Sequence, residues 1–175
     1  LLSEIMFFGY FTFYLMPLTA LLSIWRYRRS YFSKFSFLVL SSYFVYYLVF
    51  ILIPAEGPQF YFSNPLSQID SQGPFATIVK LIQKFGEAPT AAFPSSHVGM
   101  MTIILLLLYK IHCNLFKILM PFSILLLFST IYIKAHYFVD VIAGLISAPI
   151  VLIFNQFLFL KINSFSNNMV YADRN

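Results

Sequence analysis

Two stretches of sequence decide how this chain folds: Ala92-Phe-Pro-Ser-Ser-His97 and His136-Tyr-Phe-Val-Asp140. Each lies at one end of an apolar run, and the two runs are predicted to form a helical hairpin that turns near Asn114. At about 1.5 Å of rise per residue, the chain travels roughly 25 Å away from His97 and roughly 30 Å back to His136. The hairpin therefore predicts that the two histidines lie at the same level, where they form one composite site.

The composition around this hairpin is typical of a membrane protein. Hydrophobic residues are 60% of the chain and charged residues 10%, whereas a soluble domain carries about 25% charged residues. Five stretches contain no charged residue, namely 5–25, 35–55, 88–109, 118–133 and 141–160. Four of them reach the roughly 17–25 residues that cross a bilayer, and 118–133 does so if the flanking lysines extend their charged ends to the membrane surface. The sequence therefore predicts an all-α, polytopic membrane helix bundle with five transmembrane helices.

The net charge of +5 does not indicate a nucleic-acid partner, because the basic residues follow the membrane topology. Five alternating spans place eight basic residues on one side and only Lys80, Lys84 and Lys134 on the other. The positive-inside rule assigns the eight-residue side to the cytoplasm. The histidine site then faces outward, which predicts a plasma-membrane protein with its site on the outer or periplasmic face. A lumenal site in an organelle fits the same rule.

Residues 54–95 form a long loop between the second and third predicted spans. Within it, apolar residues recur at helical spacing from Pro74 to Phe85, with lysines and a glutamine on the remaining face. Pro74 suits a first helical turn and Gly86 suits a helix end. The pattern predicts a short amphipathic helix at the outer membrane surface. A loop of this length on a compact bundle is more often functional than not.

The third span is predicted to begin at a phosphate-binding turn. Ser95 is a good N-cap residue, and Pro94 constrains the chain that enters the helix. Backbone N–H groups and the positive end of the helix dipole make such a terminus an anion site, to which the hydroxyls of Ser95 and Ser96 add donors. The alternative interpretation is an ordinary capped span with His97 at the membrane interface.

His136 and Asp140 are spaced so that they share one face of a helix. A carboxylate that holds one ring nitrogen as a donor leaves the other nitrogen basic, as in a catalytic triad. A purely structural pair is the alternative. Metal binding is disfavoured, because the chain has only three histidines and His112 falls on the opposite side.

Three lysines lie at the right depth to meet a phosphate. Lys134 precedes His136 by two residues, and Lys80 and Lys84 belong to the predicted surface helix. We expect all three to bind phosphate. As alternatives, Lys134 anchors its span at the interface, and the other two contact anionic lipid headgroups.

The two stretches resemble two signatures of the type 2 phosphatidic acid phosphatase superfamily. Ala92-Phe-Pro-Ser-Ser-His97 is similar to the second signature, Pro-Ser-Gly-His. Ser129-Thr-Ile-Tyr-Ile-Lys-Ala-His136-Tyr-Phe-Val-Asp140 is similar to the third, in which Ser-Arg precedes His and then Asp. The run that continues to Gly144 is closest in pattern to the branch that includes the fungal inositol phosphorylceramide synthases. The resemblance covers roughly residues 54–147.

This resemblance implies a lipid phosphatase with a phosphohistidine intermediate. By it, His136 is the nucleophile, Asp140 its orienting partner and His97 the acid for the leaving group, while Ser95 and nearby amides hold phosphate. The resemblance implies no metal and no other cofactor. It implies that the substrate is a lipid phosphate, taken from the membrane lipids that surround the protein. The superfamily core has six helices, which predicts a sixth helix before Leu1. Residues 1–161 are then one membrane phosphatase or phosphotransferase domain, and 162–175 a polar, poorly ordered cytoplasmic tail.

The chain departs from the family pattern at its cationic positions. The arginine of the third signature falls on Thr130, the glycine of the second falls on Ser96, and the first signature is not recognisable at 54–59. A phosphodiester needs less neutralisation, which favours headgroup transfer to a lipid alcohol, unless the three lysines supply the missing charge. Hydrolysis is the first hypothesis, transfer the second, and a non-catalytic lipid-binding membrane protein the third. The sequence carries no prediction of the oligomeric state.

Overall fold

The computed structural model describes residues 1–62, 69, 71–86 and 89–172, with side chains described as far as Phe165. Within these ranges it consists of helices and connecting segments, without a strand. The helices are α1 (Leu2–Tyr27), α2 (Arg29–Leu52), α3 (Pro58–Tyr61), α4 (Pro74–Gly86), α5 (Ser96–Ile111), α6 (Cys113–Tyr132) and α7 (Phe138–Ala172). The predicted all-α bundle is confirmed.

Four helices are long and apolar enough to cross a membrane: α1, α2, α6 and residues Phe138–Phe165 of α7. The fifth predicted span, α5, has 16 residues and is the short one. The start of this span at the Ser95 cap is as predicted, and it makes the helix shorter than the uncharged stretch 88–109. The sequence instead predicted 118–133 to be the short span, whereas α6 begins already at Cys113 and has 20 residues.

The short helix α5 lies at the centre of the bundle. It packs against α1, α2, α6 and α7, and its buried side chains continue along its whole length, from Val98 to Leu108. A helix of 16 residues is about 24 Å long, less than the hydrocarbon thickness of about 30 Å. Since other helices surround α5, its apolar residues are covered by protein, and it has no need to match the bilayer.

One contact shows which turns share an end of the bundle. Arg28, between α1 and α2, donates from Nε to the carbonyl oxygen of Ile111, the last residue of α5, at 3.2 Å. The basic α1–α2 turn therefore lies beside the α5–α6 turn, as the topology predicted. At the chain's far end, α7 continues past Leu160 to Ala172, so the boundary predicted at residue 162 lies inside a helix, in a stretch without glycine or proline.

Helix α4 has the predicted bounds and amphipathic character, and α1 holds it in place. The carboxylate of Glu4 accepts hydrogen bonds from the hydroxyl of Ser71 at 2.8 Å and from the backbone N–H groups of Phe75 at 3.1 Å and Ala76 at 3.3 Å. Glu4 thus caps the first turn of α4 from a distant part of the sequence. Ala76 and Val79 are buried in the core.

Helices α5 and α7 approach closely at Gly144. A Cβ atom added to Gly144 would lie 2.6 Å from the carbonyl oxygen of Ser95 and 3.3 Å from the amide nitrogen of Gly99. Both are backbone atoms, so no rotamer change relieves the overlap. Only glycine allows this approach, which brings Asp140 and the start of α5 together.

We predict that Gly144→Ala destabilises the protein by about 1–3 kcal/mol, because it forces the backbones of α5 and α7 apart. The measurement is the midpoint of thermal unfolding in detergent. Gly86→Ala is the matched control, because its Cβ would meet nothing closer than 3.9 Å. Equal midpoints for the two variants would contradict the packing argument.

Candidate active site

The two histidines lie in contact. His97 is in the first turn of α5, and His136 lies in the short connection between α6 and α7. Nδ1 of His97 is 3.2 Å from Nε2 of His136. The connection turns sharply at Lys134, whose φ of 62° lies in the left-handed region that few residues other than glycine adopt. Such strained backbone often marks functional sites, and here it returns the chain so that His136 faces His97, as the hairpin predicted.

The hydrogen bonds around the pair assign a proton to each ring. Nδ1 of His136 lies 2.9 Å from the carbonyl oxygen of Ala92, which can only accept, so Nδ1 carries the proton. In the neutral ring, Nε2 of His136 is then an acceptor, and Nδ1 of His97 donates to it. Nε2 of His97 in turn accepts from the hydroxyl of Tyr10 at 3.0 Å. The result is a directed chain from Tyr10 through both imidazoles to Ala92.

Asp140 does not hold the ring of His136 in the way the spacing predicted. His136 precedes α7, so the two residues do not share a helix face. Oδ2 of Asp140 accepts from the backbone N–H of Tyr137 at 2.8 Å and lies 3.7 Å from Nδ1 of His136. The orienting hydrogen bond belongs to Ala92, and the buried carboxylate lies at ion-pair distance, where it stabilises positive charge on the ring.

Ser95 and Ser96 have different surroundings. Ser95 is fully buried, and its hydroxyl caps α5 by accepting from the N–H of Val98 at 3.4 Å. Its backbone N–H donates to the carbonyl oxygen of Asp140 at 2.9 Å, which joins the two sequence stretches directly. Ser96 lines the cavity beside the histidines. Of the two serines predicted to bind phosphate, only Ser96 is among the residues that line the cavity.

A cavity of about 570 Å³ opens beside His97 and His136, and we call it the histidine cavity. Six aromatic side chains from α1 and α2 form much of its wall: Phe13, Tyr14, Tyr43, Tyr46, Tyr47 and Phe50. Among the described residues that line it, none is Lys, Arg, Asp or Glu. Its lining suits an apolar or aromatic-contacting ligand with a small polar group at the imidazoles.

The three lysines predicted to bind phosphate do converge, but on a neighbouring cavity. Lys80, Lys84 and Lys134 all line a space of about 420 Å³, which we call the lysine cavity. Gln59 and Phe60 line both cavities and separate them. The lysines therefore do not belong to the walls of the histidine cavity.

The positions at which the family pattern has cations are occupied by groups with structural contacts. Thr130 is fully buried, its hydroxyl donates to the carbonyl oxygen of Leu127 at 2.8 Å, and its own carbonyl accepts from the N–H of His136 at 3.1 Å. In the 54–59 segment, the side-chain oxygen of Gln59 accepts from the amide of Gln83 at 2.9 Å. Neither position adds a cation to the site.

Sequence reasoning missed Tyr10 and Ala92. Tyr10 lies within α1. Its side chain is 0% exposed, and its hydroxyl bonds to His97. The available indication in the sequence was a tyrosine hydroxyl within an apolar span, which needs a hydrogen-bond partner when it is buried. Ala92 acts through its backbone, for which a sequence carries no signal.

The described residues contain no group of three His, Cys, Asp or Glu side chains that could hold a metal ion. What they do contain is a pair of imidazoles in contact, with a tautomer for each ring indicated by its hydrogen bonds.

Comparison with known proteins identifies the family. The family model of the PAP2 superfamily matches residues 2–154, which is most of the chain and includes every helix that contributes to the histidine cavity. Comparisons with curated proteins and with solved structures give no match. The chain belongs to the PAP2 superfamily, the type 2 phosphatidic acid phosphatases, and is a membrane lipid enzyme of the phosphatase or phosphotransferase type.

Proposed function

We propose that this protein hydrolyses a lipid phosphate through a phosphohistidine formed on His136, without a metal ion. The observation that carries the proposal is the 3.2 Å contact between Nδ1 of His97 and Nε2 of His136, with the proton on His136 held at Nδ1 by Ala92. In this arrangement the lone pair of Nε2 points at the N–H of His97. A phosphoryl group that entered between the two rings would therefore meet the nucleophile on one side and the N–H donor on the other.

In the first step, the phosphoryl group enters between the two rings, which move apart to admit it. Nε2 of His136 attacks phosphorus and forms an N–P bond as the bond to the lipid oxygen breaks. With the phosphate bound, His97 carries a second proton on Nε2, for which the hydroxyl of Tyr10 is the acceptor. The proton on Nδ1 passes to the lipid oxygen, so the lipid alcohol leaves neutral and the ring of His97 stays neutral. The ring of His136 gains positive charge, which Asp140, 3.7 Å from its Nδ1, stabilises.

In the second step, water attacks the phosphorus atom of the phosphohistidine. Nδ1 of His97, now without its proton, takes one from the water, and the N–P bond breaks. Inorganic phosphate is released and both rings return to their starting state. Donors from Ser96 and from the N-terminus of α5, which carries the positive end of the helix dipole, stabilise the phosphoryl oxygens.

The depth of the site supports a lipid substrate. Tyr10, which bonds to His97, lies eight residues after Leu2, so the histidines lie about 12 Å along α1 from its first turn. The aromatic wall of the histidine cavity continues from there along α1 and α2. An apolar chain has a matching surface on this wall while its phosphate reaches the imidazoles.

We place the site on the outer or periplasmic face of the plasma membrane. His97 begins α5, and Ile111, which contacts Arg28, ends it. The histidines are therefore at the end of the bundle opposite the basic α1–α2 turn, which the positive-inside rule assigns to the cytoplasm.

The lining of the histidine cavity favours a second candidate, transfer of a phospholipid headgroup to a lipid alcohol. No cation is among the described residues that line it. A phosphodiester carries one negative charge and needs less neutralisation than a monoester. In this version a lipid hydroxyl replaces water in the second step, as in an inositol phosphorylceramide synthase. A non-catalytic lipid-binding protein is the third candidate, and the experiments below separate all three.

We predict that His136→Asn abolishes turnover, because the substitution removes the nucleophilic Nε2. The asparagine amide can still donate to the carbonyl oxygen of Ala92, so the local fold is kept. Release of phosphate from a panel of lipid phosphates should fall at least about 10³-fold. Wild-type protein incubated with ³²P-labelled substrate and quenched in an alkaline denaturant should carry an acid-labile, alkali-stable label that the variant lacks. A chelator should change neither result.

His112→Asn is the matched control, because His112 caps α6 at the other end of the bundle. It should keep wild-type activity. Equal turnover by His136→Asn and wild type, or the absence of any turnover by wild type across the panel, would favour the non-catalytic candidate. Chelator sensitivity would reject the metal-free mechanism.

The molecule that accepts the phosphoryl group, water or a lipid alcohol, distinguishes hydrolysis from headgroup transfer. With a labelled lipid monophosphate and no added acceptor, we expect release of inorganic phosphate. With a labelled phosphodiester lipid, we expect no product until a lipid alcohol is added. A labelled new phosphodiester lipid, formed only with the alcohol and lost in His136→Asn, would replace hydrolysis with headgroup transfer as the function.

Tyr10→Phe should slow the reaction about tenfold or more on substrates with poor leaving groups, because the phenol positions the ring of His97 that acts as the acid. On p-nitrophenyl phosphate, whose leaving group needs no proton, the loss should be about twofold or less. The measurement is the ratio of kcat for the variant to kcat for the wild type, determined on an alkyl phosphate and on an aryl phosphate.

Tyr46→Phe is the matched control for that experiment. Tyr46 is equally buried and lines the same cavity, but its hydroxyl bonds to Ser147 at 2.9 Å. It should not discriminate between the two leaving groups. Equal losses on both substrates for Tyr10→Phe would mean that its hydroxyl only stabilises the fold.

A further inference from the structure

Gly99, in the first part of α5, leaves a recess that the ring of Tyr46 occupies. A Cβ atom added to Gly99 would overlap the hydroxyl oxygen and Cζ of Tyr46 and would lie 3.1 Å from its Cε1. All three atoms belong to one side chain on another helix, α2. The phenol end of Tyr46 therefore lies directly on the backbone of α5, an approach that glycine allows because it has no Cβ.

The ring of Tyr46 is also held from the side of α7. Its hydroxyl bonds to Oγ of Ser147 at 2.9 Å, and Ser147 donates to the carbonyl oxygen of Gly144 at 3.2 Å. A serine hydroxyl has one proton, so Tyr46 is the donor in the first of these bonds. The side chain of Tyr46 is 1% exposed. Its ring is therefore enclosed where α2, α5 and α7 meet.

The same ring belongs to the wall of the histidine cavity. Of the six aromatic side chains that α1 and α2 contribute to this wall, that of Tyr46 is the least exposed. Ser96, which also lines the cavity, is three residues before Gly99 in α5, so the two share a helix face with Gly99 about 4.5 Å farther along the axis. The ring over Gly99 thus forms the wall of the cavity next to Ser96.

This arrangement couples the residue at position 99 to the free space of the cavity. A larger residue there needs the volume that the phenol occupies, and α5 and α7 enclose the ring on its buried side. The open space beside the ring is the histidine cavity, so the ring yields in that direction. A shorter residue at position 46 has the opposite effect, because the recess over Gly99 then becomes part of the cavity.

We propose that Tyr46 determines how wide a hydrocarbon group fits beside the phosphate, and that Gly99 determines where the Tyr46 ring lies. The proposal rests on the proposed function, since it takes the ligand to be a lipid phosphate whose phosphoryl oxygens lie near Ser96. The first carbons after the phosphate ester then contact the Tyr46 ring. The protein therefore selects lipid phosphates whose chain is unbranched next to the phosphate.

The test compares the binding of two isomers, n-dodecyl phosphate and 2-butyloctyl phosphate. The two have equal charge and equal numbers of carbon atoms, but the second is branched next to the phosphate. The ratio of their affinities therefore reports the width of the cavity at that point. Affinities are measured by isothermal titration calorimetry in detergent. All proteins carry His136→Asn, so that the proposed reaction consumes neither ligand.

The parent protein should bind the linear isomer more tightly than the branched one. Tyr46→Leu should shift the ratio toward the branched isomer by about fivefold or more, the effect of burying one or two further methylene groups. Gly99→Ala should shift the ratio about as far in the opposite direction. The double variant should have a ratio within about twofold of the parent, because the new methyl group fills the recess that the shorter side chain leaves.

Thermal unfolding checks the contact between the two residues. Gly99→Ala and Tyr46→Leu should each lower the unfolding midpoint, and the double variant should lose less than the sum of the two losses, because the overlapping ring is absent from it. A loss in the double variant equal to that sum, or larger, would overturn the pairing of the two residues.

Phe35→Leu and Gly9→Ala are the matched controls. Phe35 is a fully buried aromatic residue of α2 that is not among the residues lining the histidine cavity. A Cβ atom on Gly9 would lie 2.6 Å from Cγ of Leu125, at a contact between α1 and α6. Both changes should lower the unfolding midpoint and leave the affinity ratio within about twofold of the parent.

The outcomes distinguish this inference from the proposed function. Affinity ratios in Tyr46→Leu and Gly99→Ala equal to that of the parent would mean that Tyr46 only stabilises the fold, and would overturn this inference alone. A parent protein that binds neither isomer, together with a wild type that turns over no lipid phosphate, would reject the proposed function and this inference with it.

Discussion

The hydrogen bond between Nδ1 of His136 and the carbonyl oxygen of Ala92 determines the tautomer of His136, because a carbonyl oxygen can only accept. Ala92 is held in turn by its own N–H, which donates to Ala55 at 3.1 Å, next to an isolated bridge between Ala55 and Ala91. The segment after α2 and the segment before α5 thus brace each other. The orientation of the His136 ring therefore depends on this pairing of two loop segments.

The sequence predicts the parts of the site that follow from spacing and local rules. The prediction that His97 and His136 lie next to each other uses only the rise per residue of a helix and the lengths of two apolar runs. The cap at Ser95 and the bounds of α4 follow from the chemistry of helix ends. These features require no knowledge of long-range packing, which explains why the structure agrees with them.

Features that depend on packing between distant elements escape the sequence. Tyr10 reaches His97 only because α1 lies against α5, and Ala92 replaces Asp140 as the orienting group because His136 precedes α7. The three lysines form their own cavity because α4 docks on α1. The length of α5 depends on its central position, where neighbouring helices substitute for lipid.

The capping of α4 by Glu4 has a mechanical consequence. Glu4 and Tyr10 are on the same helix, separated by less than two turns, and helices of this length move as stiff rods. Glu4 contacts the first turn of α4, and Tyr10, farther along the same helix, contacts His97. The position of α4 and the position of the His97 ring therefore depend on one helix, so that a displacement of α1 would move both.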